Sequence, residues 1–167
     1  MKNLKIMKKL ETIQSEIILE VLKKRGINES YLEFMLNAKI EDMEDPFNLE
    51  NIELAIDLII KNMKEGKPIL IHGDYDADGI TSLALLYRAL EKIYDKNKII
   101  PYIPNRFKEG YGFSENSIKI AKEFNSKLII TVDCGITGID EVKKAIDENI
   151  NVIITDHHEP LDILPNA

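Results

Sequence analysis

Cysteine is almost absent: the 167 residues contain one, Cys134, and no CxxC pair. An internal disulfide is therefore impossible, and neither an oxidising compartment nor a cysteine zinc site is indicated. No run of about 18 apolar residues occurs, so no membrane-spanning helix and no membrane partner are expected. The opening "MKNLKIMKKLETIQSE" is basic but lacks the apolar core and cleavage site of a signal peptide, which makes the cytoplasm the expected compartment. Positive charge is also scarce, with 22 Lys and Arg against 29 Asp and Glu and a net charge of −7. A phosphate-binding protein usually carries a basic footprint. Bound metal would change that count: two divalent cations among Asp74, Asp76, Asp78, Asp133 and Asp156 would bring −7 to −3. Nine acids and one base, Lys39, lie between Asn28 and Asp57, a composition that suits a solvated face.

A 44% apolar and 31% charged composition is that of an ordinary globular domain, and the length suffices for one real core. Between Leu4 and Lys24, Ile6, Leu10, Ile13, Ile17 and Val21 recur at three- and four-residue steps. This is an amphipathic helix that Gly26 would end. A second helix is expected in "ESYLEFMLNA" and a third from about Leu49 to Met63, stopping at Gly66. Residues 1–66 thus read as a helical lead-in. From Lys67 short apolar runs alternate with helical stretches: "PILIHGD", "KIIPYIPN", "KLIITVD" and "NVIITD" are each followed or preceded by an amphipathic segment. Continuous Val/Ile/Leu runs in this alternation predict a parallel sheet flanked by helices, with right-handed crossovers. The expected class is α/β, with residues 67–167 as the sheet domain.

Each expected strand ends in polar residues: His72 with Asp74, Asp76 and Asp78; Asn105 with Arg106; Asp133; and Asp156 with His157 and His158. In a parallel sheet all these ends lie on one edge, where open α/β folds bind ligands. Three crowded carboxylates repel one another unless a cation lies among them. Carboxylates with one or two imidazoles suit Mn²⁺, Mg²⁺, Fe²⁺ or Zn²⁺, and the excess of oxygen favours the harder ions.

Each cluster also has a plainer reading. "DYDADG" could be a solvated turn or a helix N-cap, and its "DADG" also resembles the phosphatase motif DxDGT. The paired histidines of "ITDHHEP" have no use in that phosphatase plan. As a mere surface pair, His157 and His158 would diverge. Asp133 could cap the next helix, but Thr137 and Asp140 already supply a capping arrangement there. Cys134, without a base assigned to it, reads as a small buried residue. Arg106 could be a salt-bridging loop residue; at the sheet edge it suits a phosphate, with Asn105 beside it and Tyr111 available to stack or hydrogen-bond.

Taken together, "GDYDADGITS", "YIPNRFKEGYGFSENSI", "LIITVDCGI" and "VIITDHHEP" resemble the DHH phosphoesterase superfamily, in particular its single-strand-specific 5′-to-3′ DNA exonucleases. The resemblance implies a Rossmann-like DHH domain and two divalent ions, Mn²⁺ or Mg²⁺. It implies Asp76 on one ion, Asp78 on the other, Asp133 bridging both and acting in catalysis, and His157 on the second. Asp74 and His72 compete for the remaining place on the first. His158 would face the substrate phosphate as a catalytic group, with Asn105 and Arg106 binding that phosphate. Single-stranded DNA, a role in DNA repair and recombination, and partners such as a single-strand-binding protein or a helicase follow from the same resemblance. Members of this branch are several times longer, with a further metal-binding Asp, so the chain is expected to be an amino-terminal part truncated within the domain. Other readings are a phosphodiesterase of short oligonucleotides or cyclic dinucleotides, against which "NRFKEGYG" speaks, and a catalytically silent binding module.

Overall fold

The computed structural model describes residues 20–167, so most of the helix expected over Leu4 to Lys24 lies outside the described residues. The chain forms two compact units, Met1–Asn48 and Leu49–Ala167. In the first, helix α1 (Glu29–Asn37) starts where the Asn28 side chain accepts a hydrogen bond from the Tyr31 amide at 2.8 Å. Two short 3₁₀ turns, Ile40–Asp42 and Pro46–Asn48, follow.

The second unit opens with helix α2 (Ile52–Lys64). The sequence groups this helix with the lead-in, but its Leu58, Ile59 and Met63 pack on the sheet core. Four strands follow: β1 (Ile69–Gly73), β2 (Ile99–Tyr102), β3 (Leu128–Val132) and β4 (Asn151–Thr155). They alternate with helices α3 (Ala77–Leu90), α4 (Glu115–Glu123) and α5 (Ile139–Asp147). All pairings are parallel, in the order β2-β1-β3-β4. β1 and β3 are buried along their whole length, which is why they carry uninterrupted Ile, Leu and Val; β2 and β4 form the partly exposed edges.

Alternation along the strands divides the core in two. Ile69, Ile71, Leu128 and Ile130 meet Leu83 and Leu90 of α3 on one face. Leu70, Ile129 and Val152 meet Ile118 and Ala121 of α4 and Val142 and Ala145 of α5 on the other. From β1 the chain leaves through α3 towards β2, and from β3 through α5 towards β4, in opposite directions. The gap between the carboxyl ends of β1 and β3 is therefore the topological switch point, the place where open parallel sheets bind ligands.

Packing of α3 against the end of β1 depends on a single missing methyl group. A Cβ at Gly79 would lie 2.5 Å from both the backbone N and O of Asp74. Backbone cannot yield as a flexible side chain would, so Gly79→Ala is expected to destabilise the protein by at least about 1–3 kcal/mol. Urea unfolding of the two proteins measures the difference.

Candidate metal centre

Sheet register assembles the site. Gly73 pairs with Val132 and Val132 with Thr155, so the next residues, Asp74, Asp133 and Asp156, emerge abreast from three adjacent strands. Neighbouring strands are only about 4.8 Å apart. Three carboxylates are thus brought to one edge by backbone pairing alone, and what each does differs.

Asp74 is buried, at 1% exposure, and its Oδ1 has no hydrogen-bond partner. Burial raises its pKa, and the nearby charges of Asp76 and Asp133 raise it further. An orphaned carboxylate oxygen of this kind costs about 1–3 kcal/mol. Each fully buried aliphatic side chain of the core contributes about 1.5–3 kcal/mol, so the fold carries the cost easily. The orphaned atom, aimed among other acids, fits a cation.

Asp133 turns the chain at the end of β3 with a left-handed φ of 61°, a conformation more accessible to Asp than to most residues. Its amide donates to the Thr155 carbonyl at 2.8 Å, and its Oδ1 accepts from His157 Nε2 at 3.0 Å. The bend continues at Gly135, φ 112°, where a Cβ would lie 2.7 Å from Thr131 Oγ1. The expected cap by Thr137 and Asp140 does not form: α5 begins after Gly138, without a side-chain cap. The geometry of this turn, set by Asp133 and Gly135, delays the helix beyond Thr137. Cys134, directly after Asp133, is fully buried, and burial together with Asp156 and Asp74 raises its thiol well above the usual range. It lacks the thiolate character of a nucleophile.

Asp156 acts as a brace. Its side chain is 2% exposed, with Oδ2 accepting the Ile136 amide at 3.0 Å. Oδ1 accepts the amides of His157 and His158 and the His158 Nδ1 proton at 2.7 Å. Burial alone would raise its pKa, but these donors hold it below the ordinary carboxylate value. In return the hydrogen bond to Asp156 raises the pKa of His158. It also fixes the proton on Nδ1 and leaves Nε2 to the open side, where the Tyr111 hydroxyl lies 3.1 Å away. Burial, with Asp156 and Asp74 nearby, pushes Tyr111 up to about 12. The two histidine rings do not diverge as a surface pair would: their centres are 4.7 Å apart. Ligand atoms of Asp133, His157 and His158 all lie within 4.8 Å of one another.

The β1 side completes the edge. Asp76 is the N-cap of α3, its Oδ1 accepting the amides of Asp78 and Gly79 at 3.0 Å each. The plainer reading of "DYDADG" therefore holds for one oxygen of Asp76, while the second lies outside the cap. Asp78 stands exposed in the first turn of α3, beyond the Asp133, His157 and His158 group. His72 is fully buried beneath them. Its Nδ1 lies 2.5 Å from the Ser117 hydroxyl and its Nε2 3.2 Å from the Gly112 carbonyl, so both ring nitrogens are engaged. A carbonyl can only accept, which places the proton on Nε2. Burial lowers the His72 pKa to about 4, and the ring is neutral near pH 7.

Loop 103–114 closes the remaining side. Arg106 lies over the Tyr75 ring at 5.3 Å, which ties it to the β1 loop. Asn105 spends its Oδ1 on the Phe107 amide at 3.0 Å, in an Asx turn. Its carboxamide oxygen thus shapes the loop. Glu109 accepts from the Asn105 amide, from Tyr102 and from Ser114; its bonds to these donors hold its pKa low against the burial that would raise it. Asp156 as a brace, Tyr75 under Arg106 and the Glu109 anchor have no motif that announces them. Only Asp156 left a trace, as an Asp directly after a strand and before two amides in need of an acceptor.

A parallel four-stranded sheet with helices on both faces and acids and histidines at its switch point defines a class that the family comparison confirms. The chain belongs to the DHH family: its N-terminal domain model matches residues 68–167. Among curated proteins the chain is 40% identical over 152 residues to the single-stranded-DNA-specific exonuclease RecJ of Bacillus subtilis, a match covering 90% of this chain and 19% of that protein. A crystal structure of exonuclease RecJ bound to manganese matches with TM-score 0.63 at 40% identity, over 70% of this chain and 30% of that one. RecJ of Thermus thermophilus in complex with Mn²⁺ matches with TM-score 0.62 at 32% identity, over 87% of this chain and 19% of that one. The chain thus spans about a fifth of the length of the Bacillus subtilis relative. Among the described residues no helix is long and apolar enough to cross a membrane.

Proposed function

We propose that the chain forms the metal-binding part of a phosphodiesterase that removes nucleotides from the 5′ end of single-stranded DNA. The observation that carries this reading is the row of Asp74 and Asp133 at the switch point, with His157 bonded to Asp133 and a ring nitrogen of His158 within 4.8 Å of both. The orphaned Oδ1 of Asp74 and the mixed carboxylate and imidazole donors suit Mn²⁺ or Mg²⁺. Asp74, Asp76, Asp78, Asp133 and His157 would hold two such ions. Asp74, with its orphaned oxygen, is preferred to His72, whose ring is buried between Ser117 and Gly112. Bound there, divalent ions would activate water for attack and offset the charge that builds on the phosphate oxygens.

The remaining work falls to side chains of the chain itself. Arg106 offers a planar fork of donors to a phosphate and is oriented by Tyr75. His158, its Nδ1 proton held by Asp156, presents Nε2 to stabilise the phosphate or hand a proton to the leaving oxygen. In the metal-free protein the hydrogen bond to Asp156 favours the protonated form of His158. Action in the cytoplasm, in DNA repair and recombination and beside a single-strand-binding protein or a helicase, belongs to the same proposal. The test joins this chain to the remaining length of its relatives and supplies 5′-phosphorylated single-stranded DNA with Mn²⁺. Release of nucleotides from the single strand, and little from duplex, is expected; no Mn²⁺-dependent release would refute the reading.

A further inference from the structure

Of the exposed large apolar side chains among the described residues, Phe107 is the most exposed, at 95%. Leaving it in water forfeits the burial free energy of a large aromatic ring, yet the backbone that presents it is firmly fixed. The Phe107 amide donates to Asn105 Oδ1 at 3.0 Å, and the amides of Lys108 and Glu109 donate to the Asn105 carbonyl at 3.0 and 2.9 Å. The Glu109 carboxylate then closes the loop on the Asn105 amide at 2.8 Å. Arg106 and Lys108, both exposed, precede and follow Phe107 in the chain. The loop reaches the candidate site at two points, through Arg106 over Tyr75 and through the Tyr111 hydroxyl beside His158.

We propose that Phe107 is a stacking platform for an unpaired nucleobase, which positions a single strand whose phosphates lie along Arg106 and Lys108. The inference rests on the single-strand reading above and deepens it. An exposed aromatic ring on a loop that also carries two exposed cations offers a single strand both things it needs, a face for a base and charge for its phosphates. In duplex both faces of a base are already covered by its neighbours, so only an unpaired base can use the platform. The pinned loop has already lost its freedom before binding, which keeps the ordering cost of the contact small. The same features do not suit an apolar protein partner, because the two flanking cations would have to be desolvated.

Binding of fluorescent 5′-phosphorylated dT12, and of the same oligonucleotide with abasic sites throughout, to the full chain in Mn²⁺ separates the possibilities. Phe107→Ala is expected to weaken dT12 binding roughly five- to a hundredfold, the usual range for one lost base stack, and to leave the abasic strand unaffected. Phe107→Tyr should restore dT12 binding. Unchanged dT12 binding by Phe107→Ala, or equal losses on both strands, would overturn the platform while leaving the single-strand reading intact. A wild-type chain that binds neither strand would likewise overturn the platform.

Discussion

Asp133→Ala is expected to remove Mn²⁺-dependent hydrolysis of 5′-phosphorylated single-stranded DNA by this chain joined to the remaining length of its relatives. Three roles meet on that one side chain. It follows directly on the β3 residue paired with both neighbouring strands, it holds His157 at 3.0 Å, and it flanks the switch point. Losing a residue that only orients a ligand typically costs 10- to 100-fold in affinity or activity, so Asp133→Ala should exceed about 100-fold. Asp156→Asn, which loosens the brace under His157 and His158, should fall within that range and thereby provides the comparison. Initial rates of nucleotide release from the three proteins rank them. Similar losses for both variants would mean that Asp133 is another brace.

Asp74→Asn is expected to act in opposite directions with and without metal. In the metal-free protein the Asp74 pKa is raised by burial and by Asp76 and Asp133. A carboxyl whose pKa is higher folded than unfolded is favoured in its protonated form by folding. Stability is therefore lost as pH rises through the carboxylate range, and the loss is complete above the folded pKa. Asn carries no such charge, so at pH 7 in EDTA the variant should be more stable, by about 1.4 kcal/mol for each pH unit by which folding raises the Asp74 carboxyl. The advantage should vanish at pH 3, below the unfolded pKa. In saturating Mn²⁺ the order should reverse, because a ligand that binds only the native state stabilises it. Urea melts at both pH values, with EDTA or Mn²⁺, measure all four comparisons; a variant less stable in EDTA at pH 7 would contradict this account of Asp74.

Much of this arrangement is legible in the sequence. Uninterrupted runs such as "ILI" and "LIIT" mark strands buried on both faces, and polar residues directly after them mark one edge of a parallel sheet. What one sequence cannot supply is partnership across distance. The sequence favours Asp74 over His72 as a ligand but leaves His72 open, because the Ser117 and Gly112 groups that engage its ring lie 45 and 40 residues away. Asp156 was readable as one more acid of the cluster, whereas its four hydrogen bonds depend on where Ile136 and the histidine loop fold back. Thr137 and Asp140 have the right spacing for a cap, but the left-handed turn at Asp133 and Gly135 moves the helix start past Thr137. Local pattern gave the helix α2 as well, but only its packing on β-sheet core residues joins it to the second unit.

Calorimetric titration of the chain with Mn²⁺ tests most directly whether the carboxyl edge of this sheet is a metal centre. Saturable uptake by the wild-type chain, lost in Asp133→Ala with the fold intact by circular dichroism, is the predicted result. No uptake by the wild type, or uptake unchanged in Asp133→Ala, would contradict it.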